Sequence, residues 1–169
     1  EQSIHTMGQI AGIEGEEIFL RSLHDSNLEV KKRAVWCLGM IKSGKGIEKM
    51  VEILKQIPPA PSPQMDQLET QIYLAFGLSG NLTIEGRTTE QILLEVLEKR
   101  GMKQWLGLFQ KNPLSETALE AICSSLGKIG TERSIKVLGK LEKSSEESLL
   151  PKVKEALRKI QDRVNLSRP

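Results

Sequence analysis

Residues 39–46 read Gly-Met-Ile-Lys-Ser-Gly-Lys-Gly. They meet the GxxxxGK part of a phosphate-binding loop, in which backbone N–H groups cradle phosphates and the lysine reaches the outer ones. The pattern then fails, because Gly46 stands where Ser or Thr should hold Mg²⁺, and the preceding residues have helical rather than strand periodicity. Ser43-Gly44 is therefore expected to be a helix-ending turn. The two histidines, His5 and His24, fall on different segments and form no HExxH pair, so no zinc site is expected. Cys37 and Cys123 form no CxxC pair and no disulfide framework, and both are read as small core residues. Ser79, in Gly77-Leu78-Ser79-Gly80, lacks the spacing of a nucleophile elbow. Glu16, Glu17, Glu95 and Glu98 sit at solvated helix positions, and no carboxylate pair is isolated in apolar sequence as a tuned acid and base would be. The expectation is a chain with no catalytic residue, no cofactor and no metal.

Other local patterns are weaker. Asn81-Leu82-Thr83 and Asn165-Leu166-Ser167 fit the glycosylation sequence, which matters only in a secreted eukaryotic protein. Pro58 and Pro61 have the spacing of a polyproline ligand but read more simply as a loop. Interaction chemistry is better represented. Tryptophan beside lysine or arginine is the usual make-up of an interface hot spot, and Trp36 stands among Lys31, Lys32 and Arg33.

These residues need elements to position them, and composition already restricts the choice. The chain has 169 residues, 4% of them aromatic, with 23 leucines against 7 valines. That balance disfavours sheet and favours helix. One all-α domain over residues 1–169 is expected, since a chain of this length buries roughly 70% of its unfolded surface without staples. No run of about 18 apolar residues appears, so no membrane partner is expected. Cysteine use suits a reducing, cytoplasmic compartment. The formal charge is only +2, but 11 of the 24 Lys and Arg against 6 of the 22 Asp and Glu fall in residues 127–169, making the end of the chain mildly basic.

An internal repeat is visible in the glycines. Met7-Gly8, Leu38-Gly39, Phe76-Gly77 and Leu126-Gly127 share one apolar-Gly pattern, and Leu157-Arg158 continues it without the glycine. The spacings are 31, 38, 50 and 31 residues. The first excess coincides with Pro58 to Pro63, read as a lengthened loop because proline removes donors and restricts its predecessor. The second coincides with Thr88 to Arg100, read as a supernumerary helix plus a turn, with Thr88 and Gln91 as a capping box. Two residues before each reference position stand Thr6, Cys37, Ala75, Ser125 and Ala156, small as the close approach of a neighbouring helix requires. Amphipathic partners are expected at Glu16–Leu23, Gly46–Ile57, Met102–Gln110 and Thr131–Lys143, and Ser144 with Glu147 is expected to form a second capping box. Each unit would be a helix hairpin that hides its apolar face only by stacking on the next.

The stretch Leu23 to Ile41, with Asp25, Val30, Lys31, Ala34, Leu38 and Gly39, resembles the HEAT-like repeat of phycobilin lyases and many bacterial scaffold proteins. Later units match less well: Asn112-Pro113 replaces the Asp, and Arg158 replaces the Gly. The resemblance implies a right-handed α-α superhelix, a solenoid of about five hairpins with one extra helix near 88–100, whose second helices line an inner protein-binding surface. Glu1 begins almost inside a second helix, as in a piece of a longer array.

On the helix from Glu29 to Ile41, Lys32 and Trp36 lie nearly opposite the stripe of Val30, Ala34, Leu38 and Ile41. The column three before the reference holds His5, Trp36, Leu74, Ser124 and Glu155. His5, Lys32, Trp36, Tyr73 and Leu74 are therefore the candidate protein-binding residues, unless Trp36 merely fills the seam between second helices. Nucleic-acid binding of the kind shown by HEAT-like DNA glycosylases, through Lys152, Lys154, Arg158, Lys159 and Arg163, is an alternative, although those residues spread round their helix. A bilin lyase or chaperone-like subunit is a third.

Overall fold

The computed structural model describes residues 12–58, 61–101, 114–144 and 147–166. Among the described residues the chain is predominantly helical: α1 (Gly12–Ser22), α2 (Leu28–Met40), α3 (Gly44–Gln56), α4 (Pro63–Ser79), α5 (Thr89–Val96), α6 (Glu116–Ile129), α7 (Glu132–Ser144) and α8 (Leu150–Leu166). A wide π turn, Leu97–Gly101, continues α5. A small antiparallel ribbon, β1 (Thr83–Ile84) with β2 (Arg87–Thr88), precedes it.

Short polar side chains set the helix starts by accepting the first unpaired N–H groups. Asn27 accepts from the Glu29 N–H, while its own N–H donates to the Asp25 carboxylate at 2.7 Å, so the Asp after α1 shapes the turn that launches α2. Ser62 caps α4, with Pro63 in the first turn where a missing donor costs nothing, so the proline loop ends one residue before Pro63. Thr88 and Gln91 form the expected capping box of α5, and Ser115 caps α6. Ser144 and Glu147 do not open a helix: α7 runs through Ser144 and α8 begins only at Leu150.

The phosphate-loop-like stretch is a helix junction. Helix α2 ends in a left-handed residue that is Lys42, not glycine, at φ 55°. The Lys42 N–H donates to the Gly39 carbonyl and the Ser43 N–H to that of Leu38, the paired bonds of a Schellman turn. Ser43 then caps α3 by accepting from the Gly46 N–H, and Gly44 is already helical. Ser43 thus closes the turn that ends α2 and at the same time caps α3, so the stretch ends one helix and begins the next. Gly46 is needed because a Cβ there would lie 2.9 Å from Leu38 Cβ.

Helices α2, α4, α6 and α8 form a row in which each packs on the next; α1, α3, α5 and α7 form a second layer against it. One relay of contacts builds the row. A Cβ added at Gly39 would meet the Ala75 carbonyl oxygen at 2.9 Å, one at Gly77 the Ser125 Cα at 2.8 Å, and one at Gly127 the Ala156 Cα at 3.3 Å. Each reference glycine therefore touches the small residue two places before the reference in the following unit. Between the layers lie Leu38, Ile47, Ile72, Phe76, Ile122, Leu126, Leu138 and Ile160, all fully buried. Each such side chain contributes roughly 1.5–3 kcal/mol of burial.

The ribbon was not expected from the sequence. Glu85 (φ 49°) and Gly86 (φ 75°) both take positive φ, as a two-residue hairpin loop requires. It supplies the turn that precedes the supernumerary helix. Residues Met102 to Gln110, expected as a first helix, lie outside the described residues, as does His5.

Candidate functional site

Helices α4, α6 and α8 enclose a groove of about 360 Å³. Its floor and walls come from Thr70 and Leu74 of α4, from Thr117, Glu120, Ser124 and Gly127 of α6, and from Lys152, Glu155 and Lys159 of α8. Leu74, Ser124 and Glu155 belong to the column three before the reference, so the groove runs along that column. Glycine and alanine at the helix contacts bring the three backbones close enough to make one continuous face.

Trp36 occupies the same column on α2 and is partly buried. One turn earlier, Lys32 donates to Glu29 at 2.8 Å and reaches Gln67 of α4 at 3.4 Å, which ties α2 to its neighbour along this face. Lys32, Trp36 and Leu74 are thus brought onto one side of the row. Tyr73 is not. It is fully buried, and its hydroxyl donates to Glu69 at 2.5 Å. Arg100, from the π turn, grips both Glu69 oxygens. Burial and the Glu69 charge push the Tyr73 hydroxyl well above the ordinary tyrosine range. Tyr73 therefore cannot present a surface to a partner, because Glu69, one turn back on α4, and Arg100 from the π turn hold its hydroxyl inside.

The groove is polar and mixed in charge. Lys159 donates to Glu155 at 2.6 Å, and this hydrogen bond holds the Glu155 carboxyl below its ordinary value. Thr70 Oγ1 is buried there with no hydrogen-bond partner among the described residues. Farther along α8, Arg158 pairs with Asp162 at 3.5 Å, and Arg163 donates to the Gly127 and Gly130 carbonyls at the end of α6. The basic segment is thus largely engaged with its own helix and its neighbour.

A second polar centre escaped the sequence. Glu90, almost fully buried on α5, accepts from the Thr131 N–H at 2.7 Å, the Thr131 hydroxyl at 2.9 Å and the Ser134 hydroxyl at 2.6 Å. Its charge sits at the N-terminus of α7, where the helix dipole favours an anion. Its role is to dock the supernumerary helix onto the start of α7. Nothing local marks Glu90, because its partners lie some forty residues away.

Cys37 and Cys123 are both buried, and burial raises both thiols, Cys123 up to about 12. Among the described residues no group of His, Cys, Asp or Glu is arranged to hold a metal ion, and no helix is long and apolar enough to cross a membrane. Fold and groove define a predominantly helical protein with a continuous face along its row of helices. No protein-family model, no curated protein and no solved structure matches the chain.

Proposed function

We propose that the chain is a HEAT-like array, a right-handed α-α superhelix, that serves as a non-catalytic protein-interaction scaffold. The partner lies along the face of α2, α4, α6 and α8, over Lys32, Trp36, Leu74 and the groove. One observation carries this: the contacts Gly39 to Ala75, Gly77 to Ser125 and Gly127 to Ala156 recur in register, and recurring contacts give every second helix the same rotation about its axis. The same column of each helix then faces the same way. Trp36 and Leu74 offer apolar anchors beside the polar groove. The ion pairs along α8 favour this reading over a nucleic-acid track, which needs unpaired cations in line.

The test is affinity capture from native extract with Leu74→Glu and Lys152→Glu beside wild type. Lys152 is exposed and its variant should keep the wild-type melting temperature; Leu74 is partly buried against the core, so its variant is compared with wild type below its own melting temperature. Loss of one specific partner from both variants is expected; its retention by both sinks the assignment. Trp36→Ala should weaken capture while leaving the fold intact. Duplex DNA should not be retained at about 50 mM salt, where phosphate contacts are strong.

A further inference from the structure

The face of the row changes character from one end to the other. On α2 and α4 the columns three before and one after the reference hold Trp36, Met40, Leu74 and Leu78. Met40 is 40% exposed, and the other three are half-buried. A contiguous apolar patch with a polar rim marks an interaction site. On α6 and α8 the same columns hold Ser124, Lys128, Glu155 and Lys159. Apolar contact is therefore on offer at one end of the face only.

The charges at the other end do not all cancel. Glu155 and Lys159 pair at 2.6 Å, and Glu120 and Lys152, one of each sign, line the same groove. Arg163 is engaged by the Gly127 and Gly130 carbonyls. That leaves Lys128, which is exposed and has no carboxylate within 4 Å among the described residues. It stands one turn beyond Ser124, on the edge of the groove.

The size of the groove restricts what can lie in it. One turn of α-helix, about 10 Å across and about 5.4 Å long, fills about 420 Å³, more than the whole groove of about 360 Å³. An extended chain fits instead. Packed helices stand about 8–10 Å apart, and a polyproline II chain brings the same side round every three residues, over about 9.3 Å. Successive turns of such a chain then meet successive helices of the row.

We propose that the partner of this face is an extended peptide segment with two apolar residues three apart, seated on α2 at Trp36 and Met40 and on α4 at Leu74 and Leu78, and an Asp or Glu three residues further on, at Lys128 of α6. The proposal rests on the scaffold reading and adds to it the chemistry and the polarity of what is bound.

The full-length chain is used to select from a displayed library of random peptides about twelve residues, or four turns, long. Enriched peptides are then titrated by fluorescence polarisation. Two apolar residues and an acid at three-residue spacing are expected, in either chain direction. Met40→Ser should relax the choice at one apolar position. Lys128→Glu should weaken an acidic peptide about fivefold, a loss recovered when the peptide's acid is exchanged for lysine. Both side chains are exposed, so both variants keep the fold, and Lys154→Glu, on α8 but outside the groove, should bind as wild type does. Enriched peptides with a base or no charge at that place, or affinities indifferent to both variants, would overturn the proposal and leave the scaffold reading standing. If no peptide is enriched the proposal also falls, and capture by Leu74→Glu against wild type alone decides the scaffold reading.

Discussion

Replacing Gly77 with alanine puts one methyl group into the tightest contact of the row. The new Cβ would lie 2.5 Å from Ser125 Oγ, 2.7 Å from Ser125 Cβ and 2.8 Å from Ser125 Cα, where ordinary contact begins near 3.4 Å. A rotamer change could move the hydroxyl but not the Cα, so α4 and α6 must part by roughly half an ångström. Overpacking of this kind costs about 1–3 kcal/mol. Parting the helices also stretches the 2.7 Å hydrogen bond from the Ser125 hydroxyl to the Tyr73 carbonyl, worth about 1 kcal/mol. Alanine returns roughly 0.5–1 kcal/mol through helix propensity. The net expectation is a loss of about 2 kcal/mol, a melting point lower by about 4–8 °C for a chain of this size. Gly139 in α7 is the internal control, since an added Cβ there meets nothing within 4 Å. Gly139→Ala should raise the melting point by about 2–4 °C. Paired thermal and urea unfolding of the two variants separates them by sign. If Gly77→Ala matches wild type, the close approach of α4 and α6 is not real and the relay of glycine contacts falls with it. A double variant, Gly77→Ala with Ser125→Gly, should recover part of the loss, because removing the serine side chain relieves two of the three short contacts.

Three further outcomes follow from single residues. Lys42→Gly should stabilise by about 0.5–1 kcal/mol, read as a higher urea midpoint, because glycine takes the left-handed backbone that lysine is forced to hold. Glu90→Ala should cost about 2–4 kcal/mol, since it orphans two hydroxyls and the Thr131 N–H at once; calorimetric unfolding that leaves the variant within error of wild type would remove Glu90 as the clasp of α5. Alkaline titration should lower stability. Cys123 in the folded chain is pushed up to about 12 from an ordinary 9.0, and Tyr73 is raised above an ordinary 10.0. The unfolded chain then loses these protons first, so the contribution is intact below about pH 9 and falls by about 1.4 kcal/mol per pH unit for Cys123 above that, joined by Tyr73 only above about pH 10. At pH 8 an aromatic disulfide reagent should leave both thiols untouched until denaturant is added.

The row was legible because its contacts are between small residues at fixed places in each unit. Gly39, Gly77 and Gly127 show in the sequence as one column, and Cys37, Ala75, Ser125 and Ala156 as another. Their meeting in space needs only that neighbouring helices pack alike. The helix starts were legible for a similar reason, since Thr88 with Gln91 satisfies its own helix within four residues. Lys42 was not, because the usual mark of a left-handed helix end is glycine, and here hydrogen bonds to Leu38 and Gly39 hold a lysine there instead. The ribbon has strands of two residues, too short for alternation to show. Tyr73 was misjudged because a helical wheel sees neighbours on one helix. Its hydroxyl is held by Glu69 on the same helix and by Arg100, which the insertion brings back to neutralise Glu69.

The same division separates the groove from the longer insertion. The groove is built from columns: substituting one unit's Leu74, Ser124 or Glu155 changes the local chemistry but leaves the face in place, because the glycine relay that forms it lies one column away. The insertion is built from departures. Arg87, Ile92, Val96, Lys99 and Arg100 all come from it, and their positions depend on the Glu90 clasp to Thr131 and the Glu69 grip on Arg100. Loss of either clasp should therefore disturb the insertion before the row. Glu90→Ala that speeds amide exchange over residues 89–101 while the groove's partner is still captured would show that the insertion is a unit added to the array and not a flaw in the repeat.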